Sequence, residues 1–198
     1  MFENLSEKSA FLVTKKIEIY TPVLEVGDTI QLKNGYTATC QKITDDGALM
    51  LLDQYVMHEE IDLRSSSPSN NWENCILRKI LADDFVLQDF IPDNIFCHLG
   101  YFENGDRVRI PVIKELIGKC KNAEYQDAEQ WVLMKDPKNR LAFHPNGKSD
   151  GCWCMDKCIN KHSTNLMSNF FWAIDHAGQC YEQYAGIASG VRPVFLIV

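Results

Sequence analysis

The last residues of the chain constrain its fold more than any other stretch. After Pro193 the sequence runs Val-Phe-Leu-Ile-Val to residue 198 without a polar side chain. A strand that is apolar at every position is buried on both faces, so it belongs inside a sheet and not at an edge. Proline has no N–H to donate, which places Pro193 at the entry to this strand. The sequence therefore predicts a chain that ends as a strand in the middle of a sheet.

The residues before this strand predict further β-structure. Cys152–Asp156 is predicted as a strand, and Phe170–Ile174 and Gln179–Tyr184 as a pair joined by a turn at 175–178. Gly186 and Gly190 bracket a predicted loop.

The first third of the chain predicts a meander of three strands. Asn34-Gly35 and Asp45-Asp46-Gly47 separate alternating polar and apolar runs over 26–32, 36–43 and 48–52. Asparagine and glycine tolerate the positive φ of a tight hairpin turn, so such dipeptides between alternating runs indicate hairpins. Before the meander, 1–23 is predicted to be an arm or a strand, with Lys16–Tyr20 as the alternating part.

The middle of the chain predicts short helices. Trp72, Cys75, Ile76, Ile80 and Leu81 recur at helical spacing after an Asn70-Asn71 cap, and a further turn carries Phe85, Leu87 and Phe90. The stretch 107–111 predicts a strand, 112–117 a helix closed by Gly118, and 131–143 a β-hairpin. Strands, then helices, then strands predict an α+β fold, with 24–198 as one domain.

Composition excludes several classes of function. Twenty basic and 27 acidic residues give a net charge of -7, which argues against direct binding of nucleic acid but suits an acidic surface that faces a basic protein groove. No apolar run is long enough for a membrane span, and the N-terminus does not resemble a signal peptide. These features predict a cytoplasmic protein whose eight cysteines are free thiols.

Several short motifs resemble a bacterial and phage family of unknown function. They are Val26-Gly-Asp, the run from Asn70-Asn71-Trp72 to Arg78, Asp106-Arg-Val-Arg-Ile-Pro, the Trp153 strand and Gly190-Val-Arg-Pro. Cys75 departs from the family's usual serine, and Cys152-Trp-Cys-Met-Asp from its Trp-Trp-Leu-Arg-Ser. The resemblance spans about 24–198. It implies a C-type-lectin-like mixed sheet with short helices and long loops, as in formylglycine-generating enzymes and the variable proteins of diversity-generating retroelements.

The cysteines of the closing stretch allow two interpretations. Cys152, Cys154, Cys158 and His162 offer three thiolates and an imidazole, which are zinc ligands. Alternation along a strand instead points Cys152 and Cys154 to one face and Trp153 to the other, as buried fillers, and this is the favoured interpretation. A copper site like that of the formylglycine-generating enzymes lacks matching flanking residues. No carboxylate-rich calcium loop is present, and no cofactor is predicted.

Polar and aromatic residues around the closing strands form the predicted recognition surface, since tyrosine and asparagine give large contact areas and adaptable hydrogen bonds. They are Asn160, His162, Asn165, Asn169, Tyr181, Gln183 and Tyr184. Arg192 is expected to anchor the last strand.

The sequence therefore predicts a non-enzymatic module of phage or mobile-element type that binds a protein partner. Two alternatives stay open: a small acidic inhibitor of a bacterial defence nuclease, and a zinc- or thiol-dependent enzyme that uses the 152–162 cluster.

Overall fold

A computed structural model describes residues 23–62, 71–120, 122–125, 127–144, 147, 151–158 and 169–198. The described part folds into two five-stranded sheets with four short α-helices, an α+β architecture as the sequence predicts. Its strands are β1 (Thr29–Gln31), β2 (Thr37–Thr44), β3 (Gly47–Leu52), β4 (Met57–Glu59), β5 (Val108–Arg109), β6 (Cys152–Lys157), β7 (Phe170–Ile174), β8 (Cys180–Tyr184), β9 (Ser189–Val191) and β10 (Val194–Ile197). Its helices are α1 (Ile76–Leu81), α2 (Asp84–Gln88), α3 (Asp93–Phe96) and α4 (Ile113–Ile117).

The first sheet has the order β1-β2-β3-β10-β5 and is antiparallel throughout. The strands β1, β2 and β3 form the predicted meander. The terminal strand β10 pairs with β3 on one side and β5 on the other, with Phe195 opposite both Met50 and Val108. The prediction that the chain ends inside a sheet is therefore confirmed.

The second sheet has the order β4-β9-β6-β7-β8 and is mixed, because β6 and β9 run parallel. The predicted strand over 152–156 and the predicted pair over 170–184 are present as β6, β7 and β8. The loop predicted between Gly186 and Gly190 contains β9, and β4 was not predicted. The strands β4 and β9 have three residues each, which is too few to show an alternating pattern in the sequence. Each is recognisable as a strand only from its pairing with a distant segment.

Alternation along the central strands divides the apolar side chains between two cores. On β6, Trp153 and Met155 join one core, whereas Cys152 and Cys154 join the other. On β10, Phe195 faces the first core and Val194 and Leu196 the second. Because successive side chains point to opposite faces, both faces of these strands are buried.

Backbone conformation confirms the two predicted hairpin turns. Asn34 and Gly35 both have positive φ, 57° and 78°, and Asn34 is the only non-glycine residue with positive φ in the described part. At the second turn Gly47 has a φ of 135°. L-residues with side chains rarely adopt these values, which explains why the turns carry asparagine and glycine.

The helix predicted from Trp72 begins later. Residues Trp72–Asn74 form a single 3-10 turn, and α1 starts after Cys75, whose Sγ accepts a hydrogen bond from the Arg78 N–H at 3.3 Å. Cys75 therefore takes the N-cap position that was predicted for asparagine, a position at which serine is favoured in general. Phe85, expected in the apolar layer, is 83% exposed on α2.

The hairpin predicted over 131–143 is wrong. The segment forms two 3-10 helices, Val132–Lys135 and Pro137–Arg140. The Asp136 carboxylate accepts a hydrogen bond from the Lys138 N–H at 3.0 Å, and Pro137 occupies the first helical position. An aspartate followed by proline starts a helical turn at least as well as it connects two strands, and packing decided between them.

The predicted arm over 1–22, the strand at Lys16–Tyr20 and the residues Asn160, His162 and Asn165 lie outside the described residues. The described part contains no helix that is long and apolar enough to cross a membrane.

Candidate functional site

Three residues of the predicted recognition surface, Tyr181, Gln183 and Tyr184, lie on β8, the last strand of the second sheet. The Tyr181 hydroxyl donates to Gln183 Oε1 at 2.6 Å, and burial raises the pKa of this tyrosine. Tyr184 packs edge-on against Phe170 with ring centroids 5.8 Å apart. Asn169 is buried just before β7. The structure therefore places Tyr181 and Gln183 on one face of β8 and Tyr184 on the opposite face. Their polar and aromatic groups are partly used within the sheet.

The cysteines of β6 occupy the buried positions that alternation favours. Cys152 and Cys154 are fully buried in the second core, and Trp153 faces the first. Burial raises the pKa of Cys152 to about 11 and that of Cys154 well above its usual value, so both are protonated thiols near neutral pH. Burial also raises the pKa of Cys158.

The predicted zinc set is only partly described. Among the described residues no group of three or more histidine, cysteine, aspartate or glutamate side chains is arranged to hold a metal ion. Cys152, Cys154 and Cys158 therefore do not form such a group by themselves. His162 lies outside the described residues, so the complete set stays a prediction.

A groove with seven acidic residues in its lining is present in the described part of the chain. It consists of two adjoining clefts of about 460 and 600 Å³ that share Phe102, Glu103, Arg109, Asp127 and Ala128. We call it the acidic groove. Its acidic lining residues are Asp46, Glu73, Glu103, Glu115, Glu124, Asp127 and Glu129, and its basic ones are Lys42 and Arg109.

Both basic residues of the acidic groove are already paired. Arg109 on β5 binds Glu115 of α4 through two bonds, Nη1 to Oε2 at 2.8 Å and Nη2 to Oε1 at 2.6 Å. The same guanidinium lies over the Phe102 ring, 4.6 Å from its centroid. Lys42 lies 3.7 Å from Glu129. Across the described residues, the other five acidic side chains of the groove have no ion-pair partner.

Aromatic side chains form part of the walls. Trp131 is buried in the second core beside the groove, Tyr101 is 61% exposed, and Tyr125 is half-buried. Burial, together with Glu124 and Asp156, raises the pKa of Tyr125 to about 12. Burial disfavours the charged form of any side chain, whereas the nearby carboxylates disfavour only a negatively charged one, such as the tyrosinate of Tyr125. The groove therefore combines apolar surface with negative potential.

A buried network fixes one end of the groove. The Asp106 carboxylate accepts from Trp72 Nε1 at 3.0 Å and from Arg78 Nε at 2.8 Å. Arg78 also donates to the backbone carbonyls of Glu73 and Asn104, both of which line the groove. The network joins two of the motifs that carry the family resemblance, 70–78 and 106–111. Those motif residues therefore have a structural role here.

A second buried carboxylate positions the other wall. Asp156 of β6 is fully buried and accepts hydrogen bonds from the Ile113 N–H at the start of α4 and from the Tyr125 N–H. Burial is the main cause that raises its pKa to about 6. Sequence reasoning missed this role and the Arg109–Glu115 pair. The signal for Glu115 was its position three residues after Val112, whose N–H donates to Glu115 Oε2 at 2.9 Å.

Comparison of the chain with protein-family models, with curated proteins and with solved structures found no match. The resemblance to a C-type-lectin-like family therefore stays a prediction from the short motifs. The functional argument rests on the geometry and charge of this molecule alone.

Proposed function

We propose that this protein is a non-catalytic binding module whose acidic groove takes a basic segment of a partner protein. The observation that carries the proposal is a set of five acidic side chains around one concave surface that have no cation partner among the described residues. They are Asp46, Glu73, Glu103, Glu124 and Asp127. Complementary charge across an interface gives specificity and fast association.

Lysine and arginine match this groove in shape as well as in charge. Their aliphatic stems pack on apolar surface while the charged head reaches carboxylates, so Tyr101 and Phe102 would contact the stems. Arginine also stacks on aromatic rings, as Arg109 does on Phe102. The acids are mostly exposed, so we expect binding to weaken strongly as salt is added.

The same charges work against the alternatives. A phosphate backbone would meet repulsion along the groove. The raised pKa values of the buried thiols Cys75, Cys152 and Cys154 work against a thiolate nucleophile. A nuclease inhibitor that fills a concave nucleic-acid channel needs a convex acidic surface, whereas the acidic groove of this protein is concave. The nuclease-inhibitor role, the phage or mobile-element origin and the cytoplasmic location remain predictions.

The test compares two double variants that change net charge equally. Glu103→Gln with Asp127→Asn alters the groove, whereas Glu25→Gln with Glu59→Gln alters exposed acids before β1 and on β4, away from both the groove and β8. Fluorescence anisotropy of a labelled Lys/Arg-rich peptide should show about tenfold weaker binding for the groove variant and less than about twofold for the control. Equal weakening by both variants would mean that the peptide senses only net charge, and the proposal would fail.

Variants on β8 test separately whether the predicted recognition surface binds the peptide. If Tyr181→Ala weakens binding of the basic peptide while the groove variant does not, the recognition surface is the face of β8 that carries Tyr181 and Gln183. If Tyr184→Ala alone does so, it is the opposite face of β8, and either result rules out the groove. A pull-down with the intact protein, repeated with both double variants, extends the same comparison to natural partners.

A further inference from the structure

A second, smaller cleft lies apart from the acidic groove and shares none of its lining residues. It has a volume of about 210 Å³ and is bounded by β2, the two 3-10 helices over 132–140 and the turn before β10. Its lining residues are Thr39, Gln41, Asp53, Leu133, Met134, Lys138, Asn139, Leu141 and Arg192. We call it the Arg192 cleft.

Arg192 is a buried cation without a carboxylate partner. Only 3% of the residue is exposed, and across the described residues no acidic oxygen lies within ion-pair distance of its guanidinium. Its Nε donates to the Leu52 carbonyl and its Nη1 to the Asn139 carbonyl at 2.9 Å. Its Nη2 makes no hydrogen bond to any described residue. Two carbonyls and the more distant Asp53 carboxylate offset only part of the cost of burying this charge, which favours an anion beside it.

The charges around Arg192 favour a single negative charge. The exposed side chain of Lys138 lies at the cleft, and Asp53 also lines it. Asp53 accepts the Thr37 and Thr39 hydroxyls at 2.6 and 2.9 Å, so two donors already stabilise its charge. Two cations and one carboxylate leave the cleft with an excess positive charge, although the whole chain carries -7.

A β-bulge adds an unsatisfied acceptor. Between Cys40 and Lys42 the register of β2 on β3 shifts, and Gln41 is the extra residue. Gln41 is 3% exposed; its Nε2 donates to the Thr39 carbonyl at 3.1 Å, but its buried Oε1 has no hydrogen-bond partner among the described residues. A bulge that redirects a side chain is common beside binding sites. The free oxygen favours a ligand with a donor group.

Part of the remaining lining is apolar. Leu133, Met134 and Leu141 provide a hydrophobic wall, and the volume corresponds to about seven waters at ~30 Å³ each. A ligand of this size is a small metabolite and not a drug-sized molecule.

We propose that the Arg192 cleft binds a small hydroxycarboxylate with a short apolar body. The carboxylate faces Arg192 and Lys138, the hydroxyl donates to Gln41 Oε1, and the body lies against Leu133, Met134 and Leu141. Arginine presents a planar pair of donors that suits a carboxylate, and a second cation adds long-range attraction.

The test uses 2-hydroxy-4-methylpentanoate as the probe and its amide as the uncharged analogue. In the intact protein the Nε–Hε resonance of Arg192 should shift and saturate with the acid, and the amide should bind at least about tenfold more weakly. Lys138→Glu should weaken binding of the acid about tenfold, whereas Lys135→Glu, an exposed lysine outside the cleft lining, should change it less than about twofold.

The same carboxylate chemistry has a second source, the C-terminus of a peptide. A short peptide that ends in leucine, with a free or an amidated C-terminus, distinguishes the two sources. If the peptide with the free C-terminus binds more tightly than 2-hydroxy-4-methylpentanoate, the site takes chain ends. If 2-hydroxy-4-methylpentanoate binds more tightly, the site takes small acids. An unshifted Arg192 resonance with both ligands, or equal binding of acid and amide, would overturn the proposal. Neither result bears on the acidic groove.

Discussion

Removal of the Asp106 carboxylate tests the network that fixes one end of the acidic groove. Asp106→Ala leaves the N–H of Trp72, which is 1% exposed, without an acceptor, and this costs about 1–3 kcal/mol. It also leaves the guanidinium of Arg78, whose side chain is 24% exposed, without its carboxylate, which adds about 1–2 kcal/mol after allowance for solvent. We expect the free energy of unfolding to fall by about 2–5 kcal/mol in total.

Two further variants make the result specific. Asp106→Asn keeps one acceptor and the shape of the side chain, so its loss should be about half as large. Asp93→Ala removes the exposed partner of Lys33, from a pair whose side chains are 37% and 88% exposed, and should cost less than about 1 kcal/mol. Urea titrations followed by circular dichroism give all three values. If Asp106→Ala costs no more than Asp93→Ala, the network does not stabilise the fold as argued.

Three other predictions concern the buried residues. Asp156 has a pKa near 6 in the folded protein against a usual 3.8, so the folded state binds more protons between these pH values and the free energy of unfolding falls as pH rises. Relative to Asp156→Asn, the wild type should lose about 3 kcal/mol of unfolding free energy between pH ~4 and ~7 in urea titrations. A difference between the two proteins that does not change with pH would contradict this. Phe195→Ala should lower the free energy of unfolding by about 3–5 kcal/mol because Phe195 is fully buried. Val198→Ala changes a residue that is 60% exposed and should lower it by less than about 0.5 kcal/mol. Similar losses for the two variants would argue against the central position of β10. Gly190→Ala should lower the melting temperature and reduce the free energy of unfolding by about 1–3 kcal/mol. The added Cβ would lie 2.6 Å from the Gly151 carbonyl oxygen and 2.8 Å from the Tyr55 ring. An unchanged melting temperature would show that the neighbouring atoms move away without cost.

The candidate sites were less accessible to sequence reasoning than the strands. The net charge of -7 was compatible with an acidic surface that faces a basic partner and equally with a charge that serves solubility, and it gave no position for such a surface. Glu73, Glu103 and Asp127 lie far apart in the chain, and only the packing of their segments against β5 and β6 brings them to one groove. The predicted surface was placed instead on the loops of the closing strands, where composition alone was informative.

Local chemistry was enough to predict β1, β2, β3, β5, β6, β7, β8, β10, α4 and the turns at Asn34-Gly35 and Gly47. Hydrophobic periodicity and positive φ are properties of a few adjacent residues. Tertiary structure alone decided the rest. The strands β4 and β9 exist because distant partners pair with them, and 131–143 forms 3-10 helices because packing selected one of two locally acceptable conformations. The pairs Arg109–Glu115 and Arg78–Asp106 depend on the direction of single side chains in the folded chain. Sequence patterns record burial and turn geometry, whereas a binding surface depends on which distant segments meet.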